Sequence, residues 1–544
     1  MNLKKVVIWI VSILVIAIAG YFGLEKWVEY KLKKLLQSNE TYLYSLYFEG
    51  VDVKLFDGSA SLTKFKVSPN RSIVDQLIEN KTNPEIIFQL KVKSVNLNKL
   101  SYFQLLNSEL QIGELTISKP EVTLELLPKP DEKPPEDGNK KDYSSLFSFK
   151  SLLIKNFAIE EASASLHHYQ TKSSKSRQIG SMDSFNMIAG QIQYNPEGSI
   201  QNRLSTEGII IEASEVVFPN YEEKQIRLSR LKFDFNERKI QLKSGSVQHL
   251  ESIEAFQRQT QFRKMWFRFQ FSDLTIDEID YESALYQNWL AEKLSVDSLN
   301  IQLFNNPRLP FPPDRKFPFF QSALKSIQNP IKIDSVLINN SALTYQIPGL
   351  KGEPRSQLEF EQINGYLKNV TNSLPTSGKT IFEVSCLPNN TGWLHSTWTF
   401  DLSSTEDDFF IAANATDLDL SKFNQLIEPQ TRVHINSGNI PYLKLRMDGN
   451  KYQNHVKMNY EFRDADIEVF KYDQETGQKK KRKIASFLAN LVIDNPLKDE
   501  YKFETKSTVN RPSETTFFKF IWLGILDGFK EGAFNNRYEK KEKP

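Results

Sequence analysis

The sequence holds a single cysteine, Cys386, among 544 residues. One thiol closes no internal disulfide and supplies no multi-cysteine zinc site, so the fold has to stand on pairing and burial alone. Histidine is nearly as scarce, at six copies. Only His167 and His168 are adjacent, and neighbours on a strand point to opposite faces, which makes them a poor chelate. No metal and no cofactor is expected. A charge excess of one sign is also missing. The net charge is +2, whereas a nucleic-acid face normally shows as a strong basic excess, so nucleic acid is not an expected partner. No G-x-S-x-G, H-E-x-x-H or glycine-rich phosphate loop occurs, and the scattered Asp, Glu and His have no catalytic spacing. A membrane-anchored hydrolase is the weakest reading, and the chain is not expected to be an enzyme.

What is present points to strands. Phenylalanine reaches 38 copies against 6 methionines, a balance that favours sheet packing over helical bundles. With 40% apolar and 25% charged residues, the chain as a whole is neither disordered nor an integral membrane bundle.

The N-terminus carries the sharpest single signal. Val6 to Leu24 run for nineteen residues without a charge, about 28 Å of helix at 1.5 Å per residue, enough to cross a hydrocarbon core. Lys4 and Lys5 in a five-residue head place that head in the cytoplasm and the body across the membrane. Lys26, Lys31, Lys33 and Lys34 follow the span, so the local basic count does not itself set this orientation. A retained anchor is the favoured reading. The alternative is a removable signal cut after Ala17-Ile18-Ala19.

Beyond Asp52 the chain alternates apolar and polar residues, the period of a half-buried strand. One pattern recurs: two apolar residues spaced by two, a step of three, then two more spaced by two. It appears as Leu115, Ile117, Pro120, Val122, Leu124, and again as Phe157, Ile159, Ala162, Ala164, Leu166. It returns as Ile209, Ile211, Ser214, Val216, Phe218, and as Leu294, Val296, Leu299, Ile301, Leu303. A further copy is Val336, Ile338, Ser341, Leu343, Tyr345, and a looser one is Leu274, Ile276, Ile279, Tyr281. A step of three keeps both halves on one face only if the chain turns or bulges at the junction. The intervals between copies are irregular, so this is a serial β-architecture and not a strict solenoid. Among the strands helical relief is sparse, expected at Tyr281 to Leu294 and at Asp419 to Ile427, the latter stopping before Pro429.

These features divide the chain into a head (1–5), an anchor (6–24) and three β segments (25–127, 144–306 and 321–512). A Pro- and charge-rich loop (128–143) and a Pro-rich insert (307–320) separate the segments. An amphipathic segment (513–530) and a charged tail (531–544) complete it. The basic stretch Lys479 to Lys483 reads as a hairpin tip, with contact to anionic lipid headgroups as the alternative. In the amphipathic segment, Phe518, Trp522, Ile525 and Phe529 fall on one helical face and are candidates for a membrane interface. Docking of that segment on the protein's own sheet is the equal alternative.

Together these residues resemble the AsmA-like envelope proteins, including TamB-type relatives. The resemblance begins with the N-terminal span and continues in Val53 to Leu62, in Leu110 to Leu124 and, most closely, in Leu418 to Arg446. It covers most of the chain on degenerate apolar patterns. This chain is short for a bridge across an envelope, and its terminal amphipathic segment has no counterpart in the family. The resemblance implies a mainly β fold: a single N-terminal transmembrane helix, then an elongated, curled, mostly antiparallel sheet forming a β-groove, with a few short helices. It implies an inner-membrane protein, single-pass, with its body in the periplasm and phospholipid acyl chains and membrane as partners. The groove would bind or conduct lipid between membranes and contribute to outer-membrane lipid homeostasis. The inward apolar positions would form the track: Leu115, Ile117, Val122, Leu124, Phe157, Ile159, Leu166, Ile338, Leu343 and Tyr345. The alternative is an envelope scaffold that pairs protein clients on its sheet edge, with an outer-membrane or envelope protein as partner.

Overall fold

A computed structural model describes residues 43–47, 49–54, 58–101, 109–128, 151–169, 177–194, 204–373, 378–472, 479–481, 501–534 and 538–540. The expected membrane span at 6–24, most of the loop at 128–143 and most of the charged tail lie outside these residues. Among the described residues, no helix is long and apolar enough to cross a membrane. The fold is mainly β, 64% strand, with few helices. It divides into two units, residues 1–243 and 244–544.

The first unit contains β1 (Tyr44–Tyr47), β2 (Gly50–Lys54), β3 (Ser59–Pro69), helix α1 (Arg71–Glu79), β4 (Ile86–Leu100), β5 (Glu109–Ser118), β6 (Glu121–Leu126), β7 (Ser151–His168), β8 (Arg177–Tyr194), β9 (Leu204–Tyr221) and β10 (Lys224–Asp234). Strand β11 (Lys239–His249) runs through the boundary. The second unit continues with α2 (Ile253–Gln259), β12 (Met265–Asp277), α3 (Tyr281–Leu285), β13 (Trp289–Asn305), α4 (Phe320–Lys325), β14 (Ile331–Ile347), β15 (Ser356–Thr371), β16 (Lys379–Pro388), β17 (Trp393–Asp401) and β18 (Phe409–Asp419). It ends with α5 (Asn424–Thr431), β19 (Val433–Gly449), β20 (Gln453–Tyr472), β21 (Lys479–Lys481), β22 (Tyr501–Asn510), α6 (Phe517–Phe534) and β23 (Tyr538–Lys540).

Most neighbours are antiparallel, but each unit carries a parallel pairing at the same place in its topology. In the first, β4 pairs antiparallel with β5 and β6, which together pair parallel with β7, which pairs antiparallel with β8. In the second, β12, β13, β14 and β15 repeat that sequence of directions. Four of the sequence repeats are thereby matched in two parallel pairs. Leu115 faces Phe157 and Leu124 faces Leu166; Leu294 faces Val336 and Leu303 faces Tyr345. Both pairs join residues 42 positions apart. A parallel neighbour requires the chain to travel back the length of the strand. The 17 residues of β13 span about 55 Å, so the return takes upward of about 16 extended residues. Both Pro-rich stretches lie in such returns, between β6 and β7 and between β13 and β14. The insert at 307–320 loops out between two strands that are bonded to each other, and the two units divide near residue 243.

The step of three is a bulge with a left-handed residue. Lys119, Glu161, Ser298 and Asn340, each at a junction of a repeat, have φ of +50°, +49°, +51° and +45°. Ser184 on β8, Asp273 on β12 and Gln362 on β15, the strands paired with β7, β13 and β14, have φ of +49°, +47° and +49°, and Arg230 on β10 has φ of +52°. Bulky apolar residues resist this conformation, which explains why polar residues fill the row. The amides freed at the bulge are caught by side chains. Glu161 N donates to Asn186 Oδ1 at 2.8 Å, and Asn340 N donates to Asn364 Oδ1 at 3.2 Å. In β9 the step passes without a left-handed residue; Ser214 Oγ donates to Asp183 O instead, at 2.7 Å.

Three expectations need correction. The helix expected over Tyr281 to Leu294 is only α3. Gln287 turns left-handed at φ +65°, and Trp289 onward is taken into β13, where strands on both sides supply more bonds than a short helix could. The looser repeat is half a strand: β12 ends at Asp277, Glu278 has φ +54° and Tyr281 starts α3. The helix expected to stop before Pro429 begins later, at Asn424 after a 3-10 turn (Leu420–Phe423), and runs past the proline to Thr431. Pro429 falls near its end, where it forfeits one amide donor. Asp419 caps the 3-10 turn, since its carboxylate accepts from Ser421 N at 2.9 Å. Of the basic stretch, Lys479–Lys481 pair antiparallel with Phe470–Tyr472 as the returning arm of a hairpin.

Candidate functional site: an apolar sheet face

Directly paired residues share a face of a sheet, so the register traces where the apolar side chains go. In the first unit, Leu115, Ile117 and Phe157 join Phe65, Phe88, Leu97 and Ile154 in one cluster, and Val122, Leu124 and Ile159 pack against it. Leu166, paired with Leu124 and half-buried, extends the same face. Leu115, Ile117 and Phe157 are only 3%, 4% and 6% exposed. These three are consumed by the protein's own core and offer little surface to a ligand.

The second unit differs. One row of residues crosses nine strands there: Ile276, Leu294, Val336, Leu367, Phe382, Trp398, Ile411, Met447 and Val456. Every member is apolar. From Ile276 on β12 to Trp398 on β17 the row is half-buried, and among the described residues no buried cluster takes up Leu294, Val336, Leu367 or Phe382. Ile338, Leu343 and Tyr345 lie on this same face, paired with Val296, Ile301 and Leu303. Leu337 and Thr344 alternate to the other side. From β18 onward the row is sealed, with Ile411, Met447 and Val456 at 2%, 0% and 1% exposure.

The cover over the sealed part is α6. Phe517, Phe520 and Ile521 enter the cluster with Ile411, Met447, Val456, Met458 and Tyr460. Beneath the helix, glycine recurs every four residues. A Cβ at Gly524 would stand 2.9 Å from Val456 Cγ2 and 3.0 Å from Met447 Cε, and one at Gly528 would stand 2.5 Å from Met458 Sδ. The helix backbone thus lies directly on the sheet. Phe319, from the β13–β14 crossover, fills the corner against Phe409, Phe517 and Phe520. Arg511 fastens this corner: its guanidinium donates to Phe317 O at 2.7 Å and to Thr515 O at 2.6 Å, and stacks over Phe319 at 4.4 Å.

The amphipathic segment therefore docks on the protein's own sheet, with its stripe split. Ile525 and Phe529 are partly buried against the cluster, whereas Phe518 and Trp522 remain 73% and 50% exposed. Phe518 stands beside Trp398, ring centroids 6.1 Å apart, on the side where the row opens. The buried stripe Phe517, Ile521, Gly524, Gly528 was not anticipated from the sequence; the four-residue glycine spacing is the signal that marks it.

Polar groups beneath the helix are unusual. Asn454 Oδ1, Tyr460 OH, Thr505 Oγ1 and Ser507 Oγ are buried without a hydrogen-bond partner, although Asn454 Nδ2 donates to Phe520 O at 3.1 Å. Burial pushes the Tyr460 phenol far above its ordinary range. Cys386, on the open face opposite Leu394, is also buried, which raises its thiol to about 11. Among the described residues no group of His, Cys, Asp and Glu could hold a metal ion. No family model matches the chain, and no curated protein matches it.

Proposed function

We propose that this chain is a lipid-handling protein whose apolar sheet face binds acyl chains, with no side chain performing covalent chemistry. The observation that carries this reading is the nine-residue apolar row in the second unit, only half-buried from β12 to β17. Exposed apolar surface contiguous over several strands is rare in a protein without a partner for it. Acyl chains fit the geometry because they need no hydrogen bonds and can follow a row of Val, Leu, Ile and Phe. The uncharged run Val6 to Leu24 and the resemblance to AsmA-like proteins support an inner-membrane anchor with the body in the periplasm, conducting phospholipid between membranes. Organic extracts of purified protein, analysed by mass spectrometry, should contain phospholipid in near-stoichiometric amount. Extracts free of lipid would reject the reading.

A second reading, a scaffold that pairs protein clients on its edge, is favoured by one feature. β22 is bonded to β20 along its whole length, but on its other side β23 covers only Tyr501 to Phe503. Among the described residues, Glu504 to Asn510 therefore have an open edge, where an extended segment could add a strand. Lipid-free protein that copurifies with a client through this edge would favour the scaffold.

A further inference from the structure

We propose that α6 is a displaceable lid, which covers the last strands of the apolar row and swings away to lengthen the surface open to acyl chains. This inference rests on the lipid-binding reading of the same face. Three independent features of the helix support it.

Its hold on the sheet is uneven along its length. The buried side chains Phe517, Phe520 and Ile521 belong to its first turns, whereas at Gly524, Gly528 and Gly532 it meets β20 and β22 with no side chain to interlock. Glycine inside a helix also weakens the helix itself, so α6 depends on docking for its order.

The closed state leaves bonds unmade. Asn454 Oδ1, Tyr460 OH and Thr505 Oγ1 lie under the helix on residues 0%, 0% and 2% exposed, with no partner. A settled core normally satisfies such groups. Lifting α6 gives all three access to water, which offsets part of the cost of undocking.

The anchoring is lopsided. At its start, α6 is tied through Arg511 to Thr515 O and Phe317 O. At its far end, the connection back to the sheet is the three-residue pairing of β23 with β22. The helix therefore opens from its C-terminal end and pivots near Arg511. Phe518 and Trp522, exposed beside the half-buried part of the row, are the first residues of the lid that an arriving acyl chain meets.

A crosslink tests this. A Cβ at Gly528 would stand 3.6 Å from Thr505 Oγ1 but 2.5 Å from Met458 Sδ, so full-length Thr505→Cys/Gly528→Cys, made together with Met458→Ala to clear the sulfur, should close a disulfide that pins the lid; the buried Cys386 does not compete. The probe is a phospholipid with a fluorescent acyl chain in phosphatidylcholine vesicles. The reduced variant should take up roughly threefold more probe than its oxidised form, and trypsin should cut at Lys530 faster in the reduced form. Equal uptake in both forms, at the wild-type level, overturns the lid and leaves the lipid-binding face standing. No uptake by wild type or by either form overturns both. Gly524→Leu, which presses against Val456 and Met447, should prop the helix open and raise uptake above wild type. Uptake at or below wild type, with α6 open to trypsin, also counts against the lid.

Discussion

Val336 and Val456 are the same residue type in the same row of the same sheet, yet the first is only half-buried and the second is 1% exposed. The strand register accounts for their shared face. It does not account for their difference, which comes from α6 and Phe319 lying over one and not the other. A β face of this kind has its chemistry written by the alternation of its strands and its accessibility written by a separate element. The second unit holds both outcomes on one surface, a sealed end and an open stretch.

Substitutions at matched positions should separate the two regions by size of effect. Phe520→Ala removes a fully buried ring from the sealed end and should cost about 3–5 kcal/mol in denaturant unfolding. A loss below about 1 kcal/mol would mean that α6 does not pack as described. Cys386 tests the stretch between. Its unfolded thiol ionises near 9.0 and its folded thiol only near about 11. Stability should therefore be intact below pH 9 and fall as pH climbs through the window to about 11, by about 2–3 kcal/mol in all. Cys386→Ala should remove that slope from unfolding curves measured between pH 8 and 11, and an unchanged slope would assign it to other groups. Arg511→Ala removes the guanidinium's bonds to Phe317 O, Thr515 O and Lys451 O and its stacking on Phe319, and should cost about 2 kcal/mol, because the carbonyls it serves are left partly unpaired. Amide exchange should quicken in α6 before the sheet. In the open stretch, Leu343→Ala should cost only about 1–2 kcal/mol, since the side chain is only partly buried. A cost as large as that of Phe520→Ala would show that the open stretch is covered in solution. Smallest of all, Thr344→Asp on the opposite side should change stability by less than about 0.5 kcal/mol, whereas Leu343→Asp should abolish bound lipid.

The face assignments were legible because they depend only on period two. Ile338 and Leu343 share a side across the step of three, and the turn or bulge that the step demands is marked by left-handed residues at Lys119, Glu161, Ser298 and Asn340. The direction of pairing was not legible, since alternation reads the same in parallel and antiparallel strands. A trace of it did exist: the copies starting at Leu115 and Phe157 have the same 42-residue offset as those starting at Leu294 and Val336. The segment Trp289 to Leu294 misled for a different reason. Leu, Ala, Glu and Lys favour helix, and only bonding to β12 and β14 holds them extended. In α6 the exposed aromatic stripe was readable, but the sheet-facing stripe was masked by glycine, which scores as a helix breaker unless a close surface explains it.

The left-handed row has a mechanical consequence. Asp273, Ser298, Asn340 and Gln362 sit on successive strands, and at each the ladder skips a step. A sheet creased along one line is most compliant about that line, because the fewest backbone bonds resist bending there. The bands on either side, Leu294 to Ile338 and Leu299 to Tyr345, keep their full complement of bonds while the angle between them changes. Variation in the thickness of whatever rests on the apolar face can then be absorbed at the crease, with every strand still paired.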